Sequence, residues 1–213
     1  MAADVDIANS ALALLGIPGI AALTDSAPKA IACNRKYPLS LAAELRAHRW
    51  SFAMTRVVLP QDATAPTFGF SYAFTLPADL VRVDYVGNHF AGGSMTDYRT
   101  ASEADYQIEG RKILTGAGSQ SGSLVQLSST GSASLNLRYV RLTTDTGSFD
   151  PLFVEALACR LARDLVTLLT ESNVKAQTLM AMYRERIDEA VRVNAIEKSP
   201  EPLPDDSWML SRL

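Results

Sequence analysis

Three carboxylates, Glu103, Asp105 and Glu109, fall within one short stretch and are the residues best spaced for acid–base chemistry. A pair of this kind can cleave a glycosidic bond, one carboxyl giving a proton while the other attacks or activates water. The plainer reading, a solvated acidic loop, is favoured. His48 and His89 have no Cys or second His at metal-ligand spacing, which argues against a zinc site. Arg46, Arg49, Trp50 and Arg56 form a small basic–aromatic group of the type that touches phosphates. Here a buried Trp flanked by surface arginines is the better account. The chain contains no G-x-S-x-G, P-loop or G-x-G-x-x-G pattern. Residue chemistry yields no catalytic, cofactor or metal site.

Composition narrows the class. The 213 residues are 47% hydrophobic and 20% charged, enough for a sizeable core. A net charge of -3 speaks against a dedicated nucleic-acid binder. No apolar run approaches membrane-spanning length. The start Met1-Ala2-Ala3-Asp4 lacks the basic region of a signal peptide, and Cys33 and Cys159 both sit in helix-like patterns. They read as buried reduced thiols in a protein assembled inside a cell.

The elements that would position these groups follow from periodicity. Asp150-Pro151 is a helix start, an N-cap acceptor followed by a residue pre-set for the first turn. From Leu152 to Leu169 the helix is apolar around most of its girth, the pattern of an element surrounded by others. After Glu171-Ser172-Asn173 a second long helix carries the stripe Ala176, Leu179, Met180, Tyr183, Ile187, Ala190, Val191 and Asn194. Its surface ion pairs are expected at Arg184/Asp188 and Asp188/Arg192. At the other end, a short helix capped by Asp4 runs to Leu15 and stops at Gly16 and Pro18. A second begins at Ser26 to Pro28 and runs to about His48, with a kink or break expected near Asn34 to Pro38.

Between these helical ends the period is 2. Strands are expected from Trp50 to Val58, Phe68 to Thr75, Leu80 to Val86, Arg111 to Thr115, Leu124 to Leu127 and Leu135 to Leu142. The fold class is therefore α+β: N- and C-terminal helices form a helical bundle, with an inserted antiparallel β domain of sandwich or barrel-like form. The expected boundaries are 1–49 with 149–198 for the bundle, 50–148 for the β domain and 199–213 for an extended tail. That tail holds Pro200, Pro202 and Pro204 and ends in the apolar groups Leu203, Trp208, Met209 and Leu210.

Several segments, taken in order, resemble the tail tubular protein A family, the head-to-tail adaptors of short-tailed bacteriophages. They are Ile7-Ala8-Asn9-Ser10-Ala11-Leu12, Ala32-Cys33-Asn34-Arg35 and Trp50-Ser51-Phe52-Ala53. Next come Tyr72-Ala73-Phe74-Thr75-Leu76-Pro77-Ala78-Asp79, Tyr106-Gln107-Ile108-Glu109-Gly110-Arg111 and Leu137-Arg138-Tyr139-Val140. The C-terminal half adds Phe149-Asp150-Pro151-Leu152-Phe153-Val154-Glu155-Ala156-Leu157 and Asp206-Ser207-Trp208. No single segment is specific; the order and spacing span nearly the whole chain.

The resemblance implies a structural virion protein, not an enzyme and without a cofactor, located in the tail at the head-to-tail interface. It implies a dodecameric ring between portal protein and tail nozzle protein, with tail fibres as further partners. Double-stranded DNA would pass through the centre without sequence-specific binding, and no membrane is involved. An acidic ring lets phosphates slide instead of sticking. Within that expectation, Leu152, Val154, Leu161, Val166 and Leu169 are assigned to subunit packing. Leu203, Trp208, Met209 and Leu210 are assigned to docking on the portal or a neighbouring subunit. The loops Gly87 to Thr96 and Gly116 to Ser123 would face the nozzle or fibres. The alternative is a phage-associated polysaccharide hydrolase using Glu103, Asp105 or Glu109.

Overall fold

A computed structural model describes residues 3–87, 106–116, 125–127, 133–170 and 172–197. The architecture is α+β, with antiparallel sheets between two helical segments. Among the described residues the helices are α1 (Asp4–Leu15), α2 (Pro28–Ala47), α3 (Pro151–Leu169) and α4 (Asn173–Ile196). The strands are β1 (Met54–Pro60), β2 (Tyr72–Thr75), β3 (Leu80–Val86), β4 (Tyr106–Glu109), β5 (Lys112–Thr115), β6 (Val125–Leu127) and β7 (Ala133–Arg141). Among the described residues the chain divides into a helical unit, built from the segments 3–53 and 142–197, and a β unit, 54–141, between them in sequence.

In the helical unit α3 packs against each of the other three helices. Its start is fixed by Asp150, whose carboxylate accepts from the Leu152 and Phe153 N–H groups, and by Pro151 in the first turn. Phe153, Leu157, Leu161 and Leu165 are all fully buried. Helix α1 ends as expected. Gly16 takes the left-handed conformation (φ 72°), and the Gly16 and Ile17 N–H groups close onto Ala13 and Leu12. Its start differs: the N-cap is Ala3, and Asp6 reaches back to the Ala3 N–H at 2.8 Å. Asp4 instead accepts from Tyr37 Oη at 3.0 Å, tying α1 to α2.

Helix α2 runs unbroken through Pro38. The proline deprives the Asn34 carbonyl of its helical donor, and both residues are exposed. The largest departure lies at Trp50. Alternation there suggests a strand, yet Ser51–Ala53 forms a 3-10 turn and β1 begins only at Met54. Trp50 and Phe52 are claimed by the helical unit, where they meet Phe149 and Phe153 in an aromatic cluster with ring centroids 4.9 to 6.1 Å apart. Tertiary packing overrides the local period. The i, i+4 pairs expected along α4 are absent among the described residues. Arg186 pairs with Glu155 of α3 instead.

The β unit has two antiparallel sheets. In the larger, β7 is central, with β1 on one side and β3 and β6 on the other. The smaller has the order β2-β5-β4. Strand β7 buries Ala133, Leu135, Leu137 and Tyr139 on alternate positions, and these meet Phe74 and Ile113 of the smaller sheet in one core. The two sheets thus share one apolar core. Strand β4 is an element that alternation missed. It pairs with β5 across a tight turn in which Gly110 is left-handed (φ 58°).

Candidate functional site

Glu109 is exposed at the end of β4, and Glu103, Asp105 and His89 lie outside the described residues. Trp50 is fully buried and donates its indole N–H to the Glu44 carbonyl at 3.1 Å, so it offers no face to a phosphate. His48 is half-buried, edge-on to Trp50 at 5.7 Å. Arg56 lies on β1, in the other unit.

The structure instead gathers charge where periodicity gave no warning, in the middle of the helical unit. Glu44 sits on the buried face of α2, three residues beyond Leu41, and is 0% exposed. Its Oε2 accepts from Arg160 Nη1 of α3 at 2.8 Å and from Tyr183 Oη of α4 at 2.9 Å. Arg160 Nη1 also lies 3.2 Å from the Tyr183 oxygen, and the Arg163 guanidinium stacks over the Tyr183 ring at 5.1 Å. Next along α3, Asp164 accepts from Ser40 Oγ of α2 at 2.9 Å and pairs with Arg163. Burial, then the charge and hydrogen bond of Glu44, push the Tyr183 phenol up to about 12. Burial disfavours the Arg160 charge, but Glu44 more than compensates and raises its pKa. Glu44 Oε1 and Arg160 Nε are buried without a protein partner. The sequence signal was a lone acid on the Tyr37–Leu41–Leu45 face of α2.

A groove of about 400 Å³ opens on the same unit, between α1, α3 and α4. Ala13, Leu14, Glu155, Cys159, Met182 and Arg186 line it. Cys159 is 4% exposed. Burial raises its thiol pKa; Arg186 pulls the other way and Glu155 adds to the rise. A thiol held protonated in this way is a poor nucleophile. Cys33 is likewise unlinked, and burial raises its thiol pKa too. Among the described residues no group of His, Cys, Asp and Glu is placed to hold a metal ion.

No protein-family model and no curated protein matches the chain.

The residues assigned to subunit packing divide. Leu161 (0% exposed) and Val166 (1%) are enclosed by their own helical unit and present nothing to a neighbour. This corrects that part of the assignment. That side of α3 is covered by helices of the same chain. Leu152, Val154 and Leu169 are half-buried and keep some free surface. Larger exposed apolar groups lie elsewhere on the unit: Leu39 (65%), Leu168 (59%), Val174 (74%) and Ile196 (77%). Leu203, Trp208, Met209 and Leu210 lie outside the described residues, as do nearly all of the two loops Gly87 to Thr96 and Gly116 to Ser123. No helix among the described residues is long and apolar enough to cross a membrane.

Proposed function

We propose that the chain is a head-to-tail adaptor of the tail tubular protein A type, a structural virion protein that forms a ring between portal and tail nozzle. Double-stranded DNA passes through the centre of that ring during ejection. The observation that carries this reading is the ordered series of signature segments from Ile7 to Trp208.

The work done by residues within those segments supports it. The Asn9 side chain accepts from the Ile20 N–H at 2.7 Å and donates to the Ile20 carbonyl at 3.0 Å, stitching the loop after α1 to that helix. Trp50 fills the aromatic cluster, and Asp150 caps α3. Tyr139 donates to Asp79 at 3.1 Å inside the β unit. A likeness built on framework residues at four separated places concerns the whole scaffold, not a grafted site.

Ring contacts are assigned to the exposed apolar groups Leu39, Leu168, Val174 and Ile196, together with the free surface of Leu152, Val154 and Leu169. A net charge of -3 suits a channel wall that lets DNA phosphates slide past. The test is mass photometry and negative-stain microscopy of the purified protein, alone and mixed with portal protein. Rings that join the portal are expected. A chain that never forms or joins a ring under any condition would sink the reading.

A further inference from the structure

Helix α4 is the longest helix in the described chain and the one with the smallest share of buried residues. Of its 24 residues only Leu179, Ile187 and Ala190 are buried, against nine in the 19 residues of α3. Polar clamps spaced along its length make up the difference. Near the start, Lys175 Nζ donates to the Leu15 carbonyl at the end of α1, 2.9 Å away. In the middle, Tyr183 Oη donates to Glu44 and Arg186 pairs with Glu155. Near the end, Asn194 Oδ1 accepts from Ser51 N and Oγ at 2.9 and 2.7 Å, and its Nδ2 donates to the Arg49 carbonyl at 2.8 Å.

Polar contacts of this kind exchange for water at small net cost, whereas buried apolar area does not.

We infer that α4 is a detachable element, which undocks from α1, α2 and α3 as one piece while those three helices stay packed. The opening is a local, sub-global event of the native protein. It uncovers Cys159, which lines the groove whose α4 wall is Met182 and Arg186. Cys33 stays covered, because α2 is held to α1 through Tyr37–Asp4 and to α3 through Ser40–Asp164. The inference stands independently of the adaptor reading, since neither ring nor portal enters it.

The experiment uses the full chain, with peptide-resolved hydrogen exchange and alkylation of the two native thiols mapped by mass spectrometry. α4 amides are expected to exchange faster than those of Leu157 to Leu165, and Cys159 to react faster than Cys33. Tyr183→Phe removes the central clamp without removing the ring. It should raise both the α4 exchange rate and the Cys159 labelling rate about tenfold, the worth of one hydrogen bond to a charged group. Cys33 should be unchanged. Asn194→Ala removes the clamp near the end of α4 and should raise α4 exchange and Cys159 labelling in the same direction; no change in either overturns the inference. A single labelling rate for both thiols, or equal protection of α3 and α4, overturns the inference.

Discussion

Trp50 and Phe153 meet edge to face, their ring centroids 4.9 Å apart and their planes at 72°. Both are fully buried. One belongs to the chain leaving α2 and the other to the first turns of α3, so this contact joins the two distant sequence segments that make the helical unit. Trp50→Ala should lower stability by about 3–5 kcal/mol through the cavity it leaves. It also frees the Glu44 carbonyl of its indole donor. Urea unfolding followed by circular dichroism measures the loss, and a change below about 1 kcal/mol would mean that the cluster does not hold the segments together.

Asp150 offers a smaller and cleaner effect. Its carboxylate serves two N–H groups at the start of α3. Asp150→Ala should cost about 1 kcal/mol, and Asp150→Asn should recover most of it, since the amide oxygen can accept in the same place. The denaturation midpoints of the two variants decide the matter.

Leu161 and Leu168 separate folding from assembly. Leu161→Ala, at a fully buried site, should cost about 2–5 kcal/mol. Leu168→Ser, at a 59% exposed site, should leave the melting temperature nearly unchanged and weaken ring formation on the portal. Undiminished ring formation by Leu168→Ser would remove that residue from the proposed interface.

Tyr183 gives the protein an alkaline limit. Its folded pKa, pushed up to about 12 by burial and by Glu44, exceeds the unfolded value of roughly 10. The unfolded chain then releases the proton first. The contribution is fully present below about pH 10 and is lost as pH rises towards 12. Tyr37, raised by burial and by Asp4, acts in the same direction. Urea midpoints should hold up to about pH 10 and fall from there towards pH 11.5, and Tyr183→Phe should flatten part of that slope. An unchanged slope in the variant would show that Tyr183 does not titrate in this window.

The sequence made some of this legible. Asp150-Pro151 and the apolar circumference of α3 announced that helix, and Gly16 announced the end of α1, because caps and periodicity are local signals. Trp50 was misread for a physical reason. Its alternation with Phe52 mimics a strand, and only contact with Phe149 and Phe153, about a hundred residues away, decides otherwise. Strand β4 was hidden because Ile108 is 45% exposed on an outer strand, so alternation there is not tied to burial. The Glu44–Arg160–Tyr183 cluster was missed because its members come from three helices. Each looks ordinary alone, and only the acid on the apolar face of α2 hinted at it.

The helical unit also sets a timetable. About 100 residues separate the end of α2 from the start of α3. At a synthesis rate of roughly 5–20 residues per second, α1 and α2 wait about 5–20 s for the helix that covers them. During that interval Leu12, Leu41 and Leu45 lack their main apolar partner, while the whole β unit emerges and can pair its strands. The pace of translation between Met54 and Pro151 therefore governs how long a sticky two-helix fragment stays uncovered in the cell.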